Sequence, residues 1–221
     1  LIGSFGEEGE LLGPLSILGA ISYSRGDTAG AQARFEEGAE LAERLGRLSY
    51  LSIALNNLAG LHYESRNWEG ARRAYEASIA TAREQGSQEL EGFALYGLGA
   101  VGVHEGRLEL AERQLVTSLA IFEQLGFPDR IASCCIYLAG VASARGDADA
   151  AARLLGAAEG YRQAAETTTD RLERESADEA RAESVAALGA DAFAAAFAAG
   201  RAGAREIVGD ALAGRASNLR E

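Results

Sequence analysis

Apolar and small positions along this chain return with a step of 40 residues. Leu18-Gly19-Ala20, Leu58-Ala59-Gly60, Leu98-Gly99-Ala100 and Leu138-Ala139-Gly140 form one series. Eight residues after each leucine stands Gly26, Arg66, Gly106 or Gly146, followed by Asp27, Asn67, Arg107 or Asp147. Thirteen after it comes Ala31, Ala71, Ala111 or Ala151, and seventeen after it Phe35, Tyr75, Leu115 or Leu155. Gly46, Gly86 and Gly126 keep the same step. So much agreement at one offset is an internal repeat, and a period of this length marks a solenoid.

Within each repeat the spacing predicts two helices. Leu15, Leu18 and Tyr23 give the first helix an apolar face, and Gly26 stops it where a positive φ carries no strain. Asp27 or Asp147 is placed to cap the second helix, which runs on through Ala31, Phe35, Leu41 and Leu45 until Gly46. The same grammar predicts second helices at roughly 68–85, 108–125 and 148–165. Repeat two carries Arg66-Asn67 at the turn, where Asn is the residue suited to a left-handed backbone. Gly19, Ala59, Gly99 and Ala139 let two helices approach closely, while Phe35, Tyr75, Leu115 and Leu155 fill the gap between neighbouring hairpins. After residue 165 the period fades. A charged segment, 167–184, precedes Phe193, Phe197, Ile207, Val208 and Leu212, an apolar stripe expected to cap the array or to dock a partner.

Composition narrows the chemistry. Net charge is −12 and all 21 basic residues are arginine, which disfavours nucleic acid and anionic membranes as partners. Without lysine the chain has no Walker A lysine and no Schiff-base lysine. No apolar run reaches the ~18 residues needed to span a bilayer. Cys134 and Cys135 are adjacent, unsuited to pairing with each other, and fit a reducing cytoplasmic setting. There is no methionine, even at position 1, so the sequence is expected to be a piece of a longer protein. Gly97-Leu-Gly99-Ala-Val-Gly102 matches the dinucleotide fingerprint in letters only, because no strand-like run precedes it and Gly99 is the repeat's small packing position. The two histidines, His62 and His104, have no carboxylate or thiol at ligand spacing, and no carboxylate pair stands out as an acid–base couple. Neither a catalytic, a metal nor a cofactor site is therefore expected.

Leu18, Gly19, Gly26, Asp27, Ala31 and Phe35 stand in the register of the tetratricopeptide repeat (TPR), which the chain resembles in a long 40-residue variant. The stretches "AARLLGAAEGYRQAAE" and "LGADAFAAAFAAGRA" further resemble the C-terminal repeat region of bacterial STAND-type ATPase regulators with LuxR- or SARP-type DNA-binding domains, the maltose-activator type included. The resemblance implies an all-α, right-handed α-solenoid of four TPR-like hairpins with C-terminal capping helices. The repeats would span about 12–51, 52–91, 92–131 and 132–165 within a domain of residues 1–165, and 166–221 would form the capping or docking helices.

In such arrays the first helices line a concave groove. The matching positions here are Ile53, Asn56, Asn57 and Tyr63, then Phe93, Tyr96 and Val103, then Ser133, Ile136 and Tyr137. Amides bond an extended peptide backbone, and tyrosine rings give contact area at low entropy cost. The carboxylate clamp of some family members is not matched, since Ser16, Ala20, Asn57, Phe93 and Gly97 hold its positions and Asn57 alone agrees. The resemblance thus implies a non-catalytic protein-interaction or sensor module of a cytoplasmic signalling or transcription regulator. Its partner would be a protein or peptide, including other domains of the parent, with self-association through the C-terminal helices as a further expectation. A peptide or small-molecule receptor is the alternative reading, and an enzyme ranks last.

Overall fold

A computed structural model describes residues 8–165 and 171–218, so residues 1–7, 166–170 (where the expected tail opens) and 219–221 lie outside the described residues. Among the described residues the chain forms eleven helices and no strand. They are α1 (Leu12–Ser24), α2 (Thr28–Arg44), α3 (Leu48–Glu64), α4 (Trp68–Gln85), α5 (Gln88–His104), α6 (Leu108–Leu125), α7 (Pro128–Ala144), α8 (Ala148–Ala165), α9 (Arg171–Leu188), α10 (Ala190–Ala202) and α11 (Ala204–Asn218). Second helices begin at Thr28, Trp68, Leu108 and Ala148, one repeat step apart. The chain divides into two compact units, Leu1–Val101 and Gly102–Glu221, and the division falls inside α5.

Each turn is built as its residues dictate. Asp27 Oδ1 accepts the Gly30 N–H at 2.9 Å, Asn67 Oδ1 accepts that of Gly70 at 3.0 Å, and Asp147 Oδ1 accepts that of Ala150 at 3.1 Å. These bonds satisfy amides that the first turn of a helix cannot pair internally. Gly26, Gly106 and Gly146 end their first helices with positive φ. In repeat two the left-handed residue is Arg66, at φ 57, and not Asn67. Asn67 has a competing task, because its side chain caps α4 only from the N-cap position.

In the first unit Leu12, Leu15, Leu41 and Ala42 form one buried cluster, joined by Leu45 and Leu51. A second cluster joins Ala31 and Phe35 of α2 to Leu61 of α3, with Leu58 packed against it. The second-helix aromatic therefore seals both its own hairpin and the next. A Cβ on Gly19 would collide with the Phe35 ring, and one on Gly97 would collide with Tyr75. Gly97 of α5 thus marks a close approach between helices. Ser52 and Ser78 add a buried reciprocal pair between α3 and α4: their hydroxyls lie 3.0 Å apart, and Ser78 Oγ donates to the Ser52 carbonyl at 2.9 Å.

Leu18 and Tyr23, expected on the packed face of α1, are instead 49% and 42% exposed. Their repeat equivalents Leu58 and Tyr63 are covered by packing that α1 lacks, since Leu58 rests on α2 of the preceding hairpin.

In the second unit α7 and α8 form a hairpin, α9 packs along both, and α10 and α11 lie against α8. Gly156 and Gly200 bring α8 and α10 together backbone to backbone: a Cβ on Gly156 would strike the Phe197 carbonyl, and one on Gly200 the Arg153 carbonyl. Phe193 and Val208 are buried in this cap, with Phe197, Ile207 and Leu212 half-buried.

Candidate functional site

The face expected to bind begins on α3. Ile53, Asn56 and Tyr63 recur at helical spacing, so one side of the helix presents all three. Ile53, Asn56 and Asn57 are half-buried, as are Phe93 and Tyr96 on α5. Tyr63 is 9% exposed and turns toward the hairpin end, where its ring meets Trp68 at 5.4 Å and 59°. Gly97, next to Tyr96, leaves room for the Tyr75 ring beneath α5.

Asn56 is the polar anomaly of this face. Its Oδ1 is withdrawn from water and accepts no hydrogen bond among the described residues. Leaving a buried acceptor unpaired costs about 1–3 kcal/mol, which a native chain tolerates chiefly where something else will supply the donor.

In the second unit Val103 is half-buried, while Ser133, Ile136 and Tyr137 are at most 4% exposed. Ser133 and Ile136 share a face of α7 with Gly140, and Gly140 stands beside Ser176 of α9. The packing of α9 along α7 therefore continues over this side of the hairpin. Tyr137 meets His104 edge-on, with ring centroids 6.3 Å apart.

The groups with latent reactivity are held quiet. Cys134 and Cys135 are fully buried, and desolvation pushes both thiols up, Cys135 to about 12. At neutral pH they are protonated and poor nucleophiles. His62 Nδ1 lies 3.2 Å from the Asn67 side-chain nitrogen, at the turn between α3 and α4. Among the described residues no three or more His, Cys, Asp and Glu side chains gather as a metal site, and no helix is long and apolar enough to cross a membrane.

One buried charged pair had no signature in the repeat pattern. Arg162 on α8 donates to Glu173 on α9 at 2.6 Å, and the two side chains are 12% and 4% exposed. Glu173 sits in a run dense in Glu, Arg and Asp, which reads as a solvated helix face, and the irregular tail offers no register against which to place it. A leucine preceding it by one, buried Leu172, was the available hint that this side turns inward.

The profile of a family described as the MalT-like TPR region matches residues 14–201. Among solved structures, BtubC (BKLC) from P. vanneervenii is similar, with a TM-score of 0.64 and 20% identity over 90% of this chain and 80% of that one. At that identity the likeness speaks for the fold alone. No curated protein matches the chain significantly.

Proposed function

The chain belongs to the MalT-like TPR family, and from that premise we propose that it is a non-catalytic interaction or sensor module of a cytoplasmic bacterial signalling or transcription regulator. It binds a protein or peptide, or another domain of its parent, through the first-helix face. The observation that carries the reading is Asn56 Oδ1, a buried acceptor left without a donor. An extended peptide supplies such a donor in its backbone N–H, and the flanking Ile53, Asn57, Phe93 and Tyr96 supply apolar contact and a second amide. In the second unit Val103 holds the corresponding half-buried position, while Ser133, Ile136 and Tyr137, expected on this face, are buried and take no part in the proposed contact. Binding that favours one arrangement of the parent over another would shift its activity by population.

Calorimetric titration with the parent's remaining domains tests this. The expected result is saturable binding that the double variant Asn56→Ala, Tyr96→Ala weakens at least about tenfold. Unchanged affinity in a folded double variant rejects the assigned face.

A further inference from the structure

In the second unit, the end of α5 together with α7 and α9 encloses a cleft of about 210 Å³. Gly140 lines it, and a Cβ there would stand 3.4 Å from Val103 Cγ1 and 3.5 Å from Ser176 Oγ, in ordinary contact with both walls. His104, Ser143, Ser176, Glu179 and Glu183 supply the polar lining. Ser143 donates its hydroxyl to Glu183 Oε2 at 2.5 Å, which fixes that carboxylate and leaves its other oxygen for a further donor. Ser176 is only 5% exposed, faces the cleft, and has no hydrogen-bond partner among the described residues. The little surface this residue keeps opens into the cleft, where its hydroxyl can accept or donate a hydrogen bond.

The charge of the cleft is acidic, and the nearby arginines are engaged elsewhere. Arg145 pairs with Glu112 at 2.8 Å, Arg162 with Glu173 and Arg171 with Glu175 at 2.8 Å. The Arg181 guanidinium lies over the Phe193 and Phe197 rings. Glu179 and Glu183 present two carboxylates, and Ser143 and Ser176 two hydroxyl oxygens, around a space smaller than the ~300–1,000 Å³ of drug-sized pockets. A group that fits is small, cationic and rich in donors.

We propose that this cleft binds an alkyl guanidinium or ammonium group, carried by an arginine or lysine side chain or by a small free amine. The guanidinium is the better match, because its planar fork reaches several oxygens at once. The inference stands on the cleft's own geometry and does not require the α3 face to bind anything.

Titration calorimetry on the full chain tests it with agmatine as the free cation, a capped Ala-Arg-Ala peptide, and the same peptide with neutral citrulline. Saturable binding of either cationic probe, with citrulline silent, is expected; preference for agmatine or for the peptide tells a free amine from a side chain. The exposed pair Glu179→Gln, Glu183→Gln should weaken binding at least about tenfold, whereas Asn56→Ala should leave it unchanged. Equal binding of citrulline, no saturable binding, or an unaffected double variant with native circular dichroism would overturn the proposal.

Discussion

Arg66 holds a left-handed backbone at the position where three other hairpins place glycine. That conformation costs a residue with a Cβ roughly 1–2 kcal/mol, partly offset by the greater freedom glycine has when unfolded. Arg66→Gly should therefore raise stability by up to about 1 kcal/mol in urea denaturation. Asn56 offers the opposite bargain. Asn56→Leu removes an unpaired buried acceptor and should stabilise the free chain by about 1–2 kcal/mol while weakening partner binding, a separation visible by running both assays on one variant. For Cys134 and Cys135 the folded pKa values are raised above the ordinary 9.0. Their contribution is fully present below pH 9 and is lost as pH rises from there toward their folded values, because the unfolded thiols ionise first. Stability should be flat below pH 9 with respect to these groups and decline above it, and thiol reagents should react only at the rate of unfolding. At this scale the sequence was readable where one residue had one job, as in the caps Asp27 and Asp147. It misled at Asn67, where capping and turn-making competed for one side chain.

Packing between helices makes equivalent residues unequal. Leu61 is buried against Ala31 and Phe35, whereas its repeat counterpart Ile21 on α1 is 39% exposed. Leu61→Ala should cost about 2–5 kcal/mol, and Ile21→Ala less than about 1 kcal/mol, in chemical denaturation. Leu61 and Ile21 stand at equivalent places of the forty-residue register, and the presence of a neighbouring helix decides whether that face is covered. A larger penalty attaches to Arg162 and Glu173, joined across α8 and α9 with little exposure. Truncating one partner strands the other's charge, so Glu173→Ala should destabilise by roughly 3–5 kcal/mol. A paired replacement by apolar residues of similar volume should recover most of that loss. Apart from the adjacent Leu172, the local sequence does not distinguish Glu173 from its solvated neighbours, since burial here is set by how the tail folds back and not by periodicity.

In repeat architectures each element depends chiefly on its neighbours, so damage stays local. Gly200→Ala forces a Cβ against the Arg153 carbonyl. Hydrogen exchange should accelerate across α8, α10 and α11 of the second unit while α1 to α4 of the first keep their protection. By contrast Gly60, which has open space where its Cβ would stand, should tolerate alanine and gain about 0.5–1 kcal/mol. The sequence made the helical repeat legible because forty-residue periodicity repeats the same packing problem. It left the cap and the cleft of the second unit obscure, because they arise once and leave no second copy to compare.

The meeting of α8 and α10 has a consequence for direction as well as distance. At Gly156 and Gly200 the atom standing in place of a side chain is a hydrogen, and each is aimed at a main-chain oxygen of the opposite helix, Phe197 and Arg153 respectively. Such Cα–H···O contacts, at C···O separations of about 3.3–3.6 Å, are polar and oriented, each worth ~0.5–1 kcal/mol. Two of them facing opposite ways act like a key turned in a ward: sliding α10 by one residue would break both together. The terminal helices are thereby held in a single register that their alanine-rich surfaces, nearly featureless by themselves, could never specify.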